Sequence, residues 1–341
     1  MRDIIIPNKL KPGDTIGIIS PSSGIASLCP KRLERGIQTL REMNFEVVLG
    51  KNTTARQHYM AGTIEQRLED LHEMFSNPDV KAIITTIGGT CSHQLLDEID
   101  YELIARNPKV FMGYSDITAL HTAIHKKTGL VTYLGPAILP QFGEFNGLID
   151  YTREYFQKTL LEKNHVSIKS SPYRIVESLM WDTEDTRVRQ KEQNSGLKIL
   201  KTGSAEGHIV AGNVCTLLLL AGTQYFPDMT GAILCIEGSE GENPSTIDRY
   251  FTQLRHMGVY DKISGLLIGR FHPKVGFGDD HDNGLLQNIL QTTTRGYTFP
   301  IVYNADFGHT DPMFILPNGI EALLKASEGS TSFEFLQPAV L

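Results

Sequence analysis

The sequence predicts an α/β protein: an N-terminal parallel sheet flanked by helices, of the Rossmann or flavodoxin-like kind, followed by a smaller mixed α/β C-terminal domain. Three observations predict it. Short apolar runs rich in β-branched residues alternate with helix-periodic stretches up to about residue 135, the pattern of a parallel sheet covered on both faces. A charged and polar stretch, 163–205, interrupts the alternation, and strand-length apolar runs resume after it. The chain has 341 residues, 40% of them hydrophobic, enough for two cores. The implied division is 1–162, a linker and substrate loop at 163–205, and 206–341.

Each element has its own warrant. TIGIIS (15–20) and FEVVLG (45–50) read as strands, with an amphipathic helix at 31–43 between them. Thr63-Ile64-Glu65-Gln66 is a capping box, opening a helix to about Ser76. KAIITTIGG (81–89) is a strand ending in a glycine pair. Lys109-Val110-Phe111-Met112 is a short buried strand, and 116–127 carries Ile117, Leu120, Ala123 and Ile124 at helical spacing. LVTYLG (130–135) closes this half. In the second half, VCTLLLLAG (214–222) resumes regular structure and GAILCIEG (231–238) reads as a strand. Ser245-Thr246-Ile247-Asp248 is a second capping box for a helix to Met257. SGLLIGRF (264–271) and FPIVYNADFGH (299–309) read as later strands.

The formal net charge of −7 offers no broad basic surface, so nucleic acid is not an expected partner. The apolar run at 4–6 is cut short by Pro7, and no stretch approaches the 18 apolar residues of a membrane span. The expectation is therefore a cytoplasmic protein without a membrane partner. Cys29, Cys91, Cys215 and Cys235 are far apart and form no CxxC pair, which predicts reduced thiols and no zinc site.

Candidate chemistry gathers where strands end. Ser115 lies on a sharp strand-to-helix turn that can lift a hydroxyl out of the sheet, although taken by itself a helix-capping serine is the commoner reading of such a position and Ile117 departs from Gly-x-Ser-x-Gly. Gly88-Gly89 could bring backbone N–H groups to a ligand or form a tight turn. His309 sits in DFGHTDP between a strand end and a turn-rich loop, the place of a site residue or of a structural histidine. Glu237 ends an apolar strand and needs a partner; Glu240 and Glu242, farther into the loop, are expected to face solvent. His121 and His125, four apart on one helix, lack a completing carboxylate and read as helix-face residues.

Several ordered motifs together resemble one family. HYMAGTIEQRLEDL (58–71), IGGTCSHQLLDEID (87–100), GYSDITALH (113–121), GLVTYLGP (129–136), EGHIVAGNVCTL (206–217), CIEGSEGENPSTIDRYFTQL (235–254) and GHTDPMFILPNG (308–319) are similar to the LD-carboxypeptidase and microcin C self-immunity family of serine peptidases. The resemblance implies a Ser-Glu-His triad at Ser115, Glu237 and His309, and an oxyanion hole at the backbone of Gly89 and Asp116. It also implies substrate contacts at Gly88, Trp181 and Asn213, no metal or organic cofactor, and a homodimer. Ile87-Gly88-Gly89-Thr90 and the long polar loop with Trp181, the only tryptophan, resemble the microcin-immunity branch, in which a loop aromatic stacks on adenine. Trp181 reads equally as an apolar anchor for its loop.

The expected function is a serine carboxypeptidase or amidase cleaving peptide or aminoacyl-nucleotide conjugates. A murein tetrapeptide LD-carboxypeptidase is the alternative within the same chemistry. A non-catalytic small-ligand binding protein is the alternative of another class.

Overall fold

The computed structural model describes residues 3–341. Five parallel strands, β1 (Thr15–Ile19), β2 (Glu46–Leu49), β3 (Val80–Thr85), β4 (Val110–Gly113) and β5 (Thr132–Leu134), form the first sheet in the order β5-β4-β3-β1-β2. Helices α1 (Pro30–Glu42), α2 (Ile64–Ser76), α3 (Tyr101–Arg106), α4 (Thr118–Thr128) and α5 (Asp150–Leu160) accompany it. The predicted capping box is present: Thr63 accepts from the Gln66 N–H while the Gln66 side chain accepts from the Thr63 N–H. Ile117, Leu120, Ala123 and Ile124 are all fully buried, and each large apolar chain of this kind contributes roughly 1.5–3 kcal/mol.

The polar stretch is no free linker. It contains β6 (Ser167–Ile168), the paired β7 (Tyr173–Arg174) and β8 (Glu192–Gln193), and β9 (Lys198–Lys201). Its charges are spent on neighbours. Asp185 takes the Arg32 guanidinium at 2.7 Å and also Arg35, and Arg189 pairs with Glu144 at 2.6 Å and with Asp311. Asp185 and Arg189 are thus fastenings, while Glu184, Lys191 and Glu192 stay exposed.

The second sheet is mixed. Strands β10 (Gly203–Asn213), β11 (Ile233–Glu237), β12 (Gly265–Gly269) and β13 (Ile301–Ala305) run parallel. β15 (Glu321–Ser327), β16 (Ser330–Phe335), β6 and β9 join antiparallel, giving eight strands in all. Helices α6 (Val214–Leu219), α7 (Pro244–His256) and α8 (Leu285–Thr293) complete it. Helix α7 starts earlier than its expected capping box, because Asn243 accepts from Thr246 N–H and Pro244 takes the first helical position, where its missing N–H costs nothing.

The two sheets share material. β14 (Leu316–Asn318) comes from the C-terminal half yet pairs antiparallel with β5, as the sixth strand of the first sheet. One cluster of buried apolar side chains runs from Ile16 and Met112 through Ile209 and Cys235 to Phe333. This continuity sets the strand ends of both sheets against each other, and there the candidate residues meet.

Candidate active site

The turn after β4 places Ser115 in the left-handed region, φ +63°, before a single 3-10 turn leads into α4. A non-glycine residue held there is strained, and such strain is kept where the surrounding structure demands it. Glycine at 88 is required by contact: a side-chain carbon there would lie 2.9 Å from Ser115 Cβ and 3.1 Å from Asp116 N. Gly89, at φ +153°, would put one 2.4 Å from Ser22 Oγ. The Asp116 carboxylate, 2% exposed, ties these loops together. It accepts from Ser22 Oγ at 2.6 Å, Cys91 N–H at 3.0 Å and Ser92 N–H at 2.8 Å. The sequence pointed only to the backbone of Asp116; a charged side chain inside an apolar turn was the signal of this second role.

Glu237 ends β11 fully buried, with Gly269 and Gly308 packed against its Cβ. His309, on the loop after β13, lies with Nδ1 2.6 Å from Glu237 Oε2 and Nε2 3.0 Å from Ser115 Oγ. With Nδ1–H donating to the carboxylate, Nε2 is left to accept from the serine hydroxyl. Burial, the largest single effect, pushes this imidazole down, but the charge and hydrogen bond of Glu237, joined by the carboxyls of Glu242 and Glu240, leave it above its ordinary value. The Tyr114 ring packs edge-on against the imidazole, centroids 5.2 Å apart. Geometry of this kind lets a serine hydroxyl act as a nucleophile with an oriented base.

Ser115, His309, Gly88, Gly89 and Trp181 line one cavity of about 690 Å³, within the range of small-molecule sites. Trp181 is carried there by its neighbours. Asp182 accepts from the first N–H groups of α1, Lys31 at 2.8 Å and Arg32 at 2.9 Å, a carboxylate well placed on a helix N-terminus. The Arg32 guanidinium lies 5.0 Å from the indole centroid, so the anchor role and a place in the cavity wall coexist.

Other expectations fare differently. Asn213 pairs in register with Glu237 across β10 and β11 and is 3% exposed, but its Oδ1 caps α6 and it lies outside the cavity wall. Glu240 does reach that wall, held by Lys274 at 3.1 Å. Glu242 does not face solvent: both carboxyl oxygens are buried, because the chain after Gly238 turns back inward. His121 and His125 are spent on the carbonyls of Gly113 and Leu130. Arg32 and Arg189, both in the wall, carried no sequence signal, since arginines in an amphipathic helix and a polar stretch read as surface.

Fold and site together define a serine-type carboxypeptidase of two α/β parts. The chain belongs to the LD-carboxypeptidase family, whose N-terminal domain model matches residues 16–135 and whose C-terminal domain model matches 206–324. YocD of Bacillus subtilis is 36% identical over 95% of this chain and 97% of its own length. The microcin C7 self-immunity protein MccF of Escherichia coli is 35% identical over 91% of this chain and 90% of its own. Among solved structures, an MccF-like protein from Bacillus anthracis superposes with a TM-score of 0.91 at 36% identity, over 98% of this chain and 99% of the other. MccF has also been solved in complex with aspartyl sulfamoyl adenosine, at a TM-score of 0.90 and 32% identity, over 99% of this chain and all of the other. Among the described residues no helix is long and apolar enough to cross a membrane.

Proposed function

We propose that this protein hydrolyses an amide bond of an aminoacyl-nucleotide conjugate, with Ser115 as nucleophile, His309 as base and Glu237 as the carboxylate that orients the base. The observation that carries the reading is the continuous chain from Ser115 Oγ through His309 to Glu237, at 3.0 and 2.6 Å. His309 Nε2 takes the hydroxyl proton as Oγ attacks the carbonyl, and returns it to the leaving nitrogen. The Glu237 carboxylate stabilises the imidazolium in between. Developing charge on the carbonyl oxygen falls to the N–H groups of Gly89 and Asp116, on the Gly88 side of Ser115, where donors aimed at the transition state act most strongly. Water then releases the acyl group from Ser115 by the reverse proton path.

The nucleotide part of the reading is supported by Trp181 in the wall of the same cavity and by the MccF complex with aspartyl sulfamoyl adenosine. Purified protein is expected to hydrolyse aspartyl or glutamyl sulfamoyl-adenosine. Ser115→Ala and His309→Ala should each lower turnover by several orders of magnitude, and the double variant barely further, because such residues act as a unit. Near wild-type turnover in Ser115→Ala refutes the triad. Efficient cleavage of murein tetrapeptide with none of the nucleotide conjugate moves the substrate to the cell wall.

A further inference from the structure

Glu242, five residues beyond Glu237, takes no part in the mechanism above, yet its carboxyl is turned inward. Neither oxygen makes a hydrogen bond of good geometry among the described residues, the nearest donors being the backbone and hydroxyl of Ser239. Its Oε2 lies 2.5 Å from where a side-chain carbon on Gly238 would sit, so the group packs on the backbone next to Glu237. Glu237 shows a matching deficit, because its Oε1 is buried without a partner while Oε2 serves His309. Two neighbouring buried carboxyls with three unsatisfied oxygens are costly to ionise together.

The surroundings decide which one holds the proton. Glu237 faces the imidazole directly, whereas Glu242 has no cation in contact. Burial first, and then the Glu237 charge, push the Glu242 carboxyl up to about 7, with Ser239 and His309 opposing. The other titratable groups that face it are Cys215 on α6 and Tyr250 on α7. Both are pushed up by burial and are neutral in the working range. Among these neighbours, the Glu237–His309 pair therefore carries the charge that responds to Glu242.

We propose that Glu242 is a positioning residue for the Ser115–His309–Glu237 relay: as the neutral acid it leaves Glu237 the only carboxylate in contact with His309, the exposed Glu240 acting from farther off beside Lys274, and on losing its proton to solvent it adds a buried negative charge that favours the imidazolium. The proposal rests on the triad reading. Its consequence is that part of the enzyme, at mid-range pH, sits as an ionised Glu242 with a protonated His309, a form that cannot accept the serine proton.

Glu242→Gln removes that form. The rising limb of kcat/KM should move to lower pH, and because the form removed is most populated near neutrality, kcat/KM at pH 7 relative to pH 8.5 should rise about twofold. The downfield proton on His309 Nδ1, followed by NMR without substrate, should shift its titration midpoint in the same direction. Glu242→Met, which removes the charge without supplying an amide, should do the same if the glutamine variant folds poorly. An unmoved imidazole midpoint overturns the proposal, as does a moved midpoint with an unchanged kcat/KM limb. Either result leaves the triad standing while Ser115→Ala is inactive; an active Ser115→Ala removes the triad itself.

Discussion

Replacing Trp181 by alanine tests the substrate reading directly, and the structure confines what is lost. The Arg32 guanidinium under the indole keeps Asp185 at 2.7 Å and the carbonyls of Leu139 and Pro140 at 3.0 Å. Asp182 continues to hold the loop on α1. The variant therefore loses one cation–π contact, about 0.5–2 kcal/mol of stability, the half-buried indole's packing on the edge of the core, and the flat face offered to a base. Stacking of a base on an aromatic side chain contributes about 1–3 kcal/mol, so kcat/KM for aspartyl sulfamoyl-adenosine should fall about 5- to 150-fold. The assay is chromatographic release of sulfamoyl-adenosine, run beside a small peptide substrate that has no base. Trp181→Phe, which keeps a smaller ring, should fall between. Equal losses on both substrates would refute the reasoning, because they would place Trp181 in loop anchoring alone.

Further outcomes follow from the same geometry. Asp185→Asn, which leaves Arg32 and Arg35 without their shared carboxylate, should lower unfolding stability by about 3–5 kcal/mol in urea titration and raise KM more than it lowers kcat, since the Trp181 loop is fastened there. The His309 imidazole is held above its ordinary value by Glu237 against the effect of burial, so kcat/KM should rise with pH with a midpoint above that value. By linkage, the stability from this pair is present below the unfolded imidazole value and is lost as pH rises through the folded one. Replacing Glu237 by Gln should remove both effects, measured by a pH–rate profile and by thermal unfolding across pH.

Local physics made the first half of the molecule legible in its sequence. The capping box at Thr63, the apolar face Ile117–Leu120–Ala123–Ile124 and the strand before Ser115 all follow from contacts within a few residues, and the structure agrees with them. Strand ends drew attention to Ser115, Glu237 and the loop that carries His309, and it was the resemblance of the ordered motifs that grouped the three as a triad. What the sequence by itself could not determine is what those ends face. Ser115 and His309 are 194 positions apart, and only the packing of two sheets around one core, with β14 crossing between them, brings their side chains to 3.0 Å. The same cause explains why Arg32 and Asp185 carried no signal and why Glu242 was expected to face solvent. Arg32, Asp185 and Glu242 are polar letters in polar surroundings along the chain, and burial is a property of what folds over them. A charge in a helix or loop is cheap in water and is tolerated inside only when a distant partner neutralises it or a proton stays bound; that partner, or its absence, exists only in the tertiary structure.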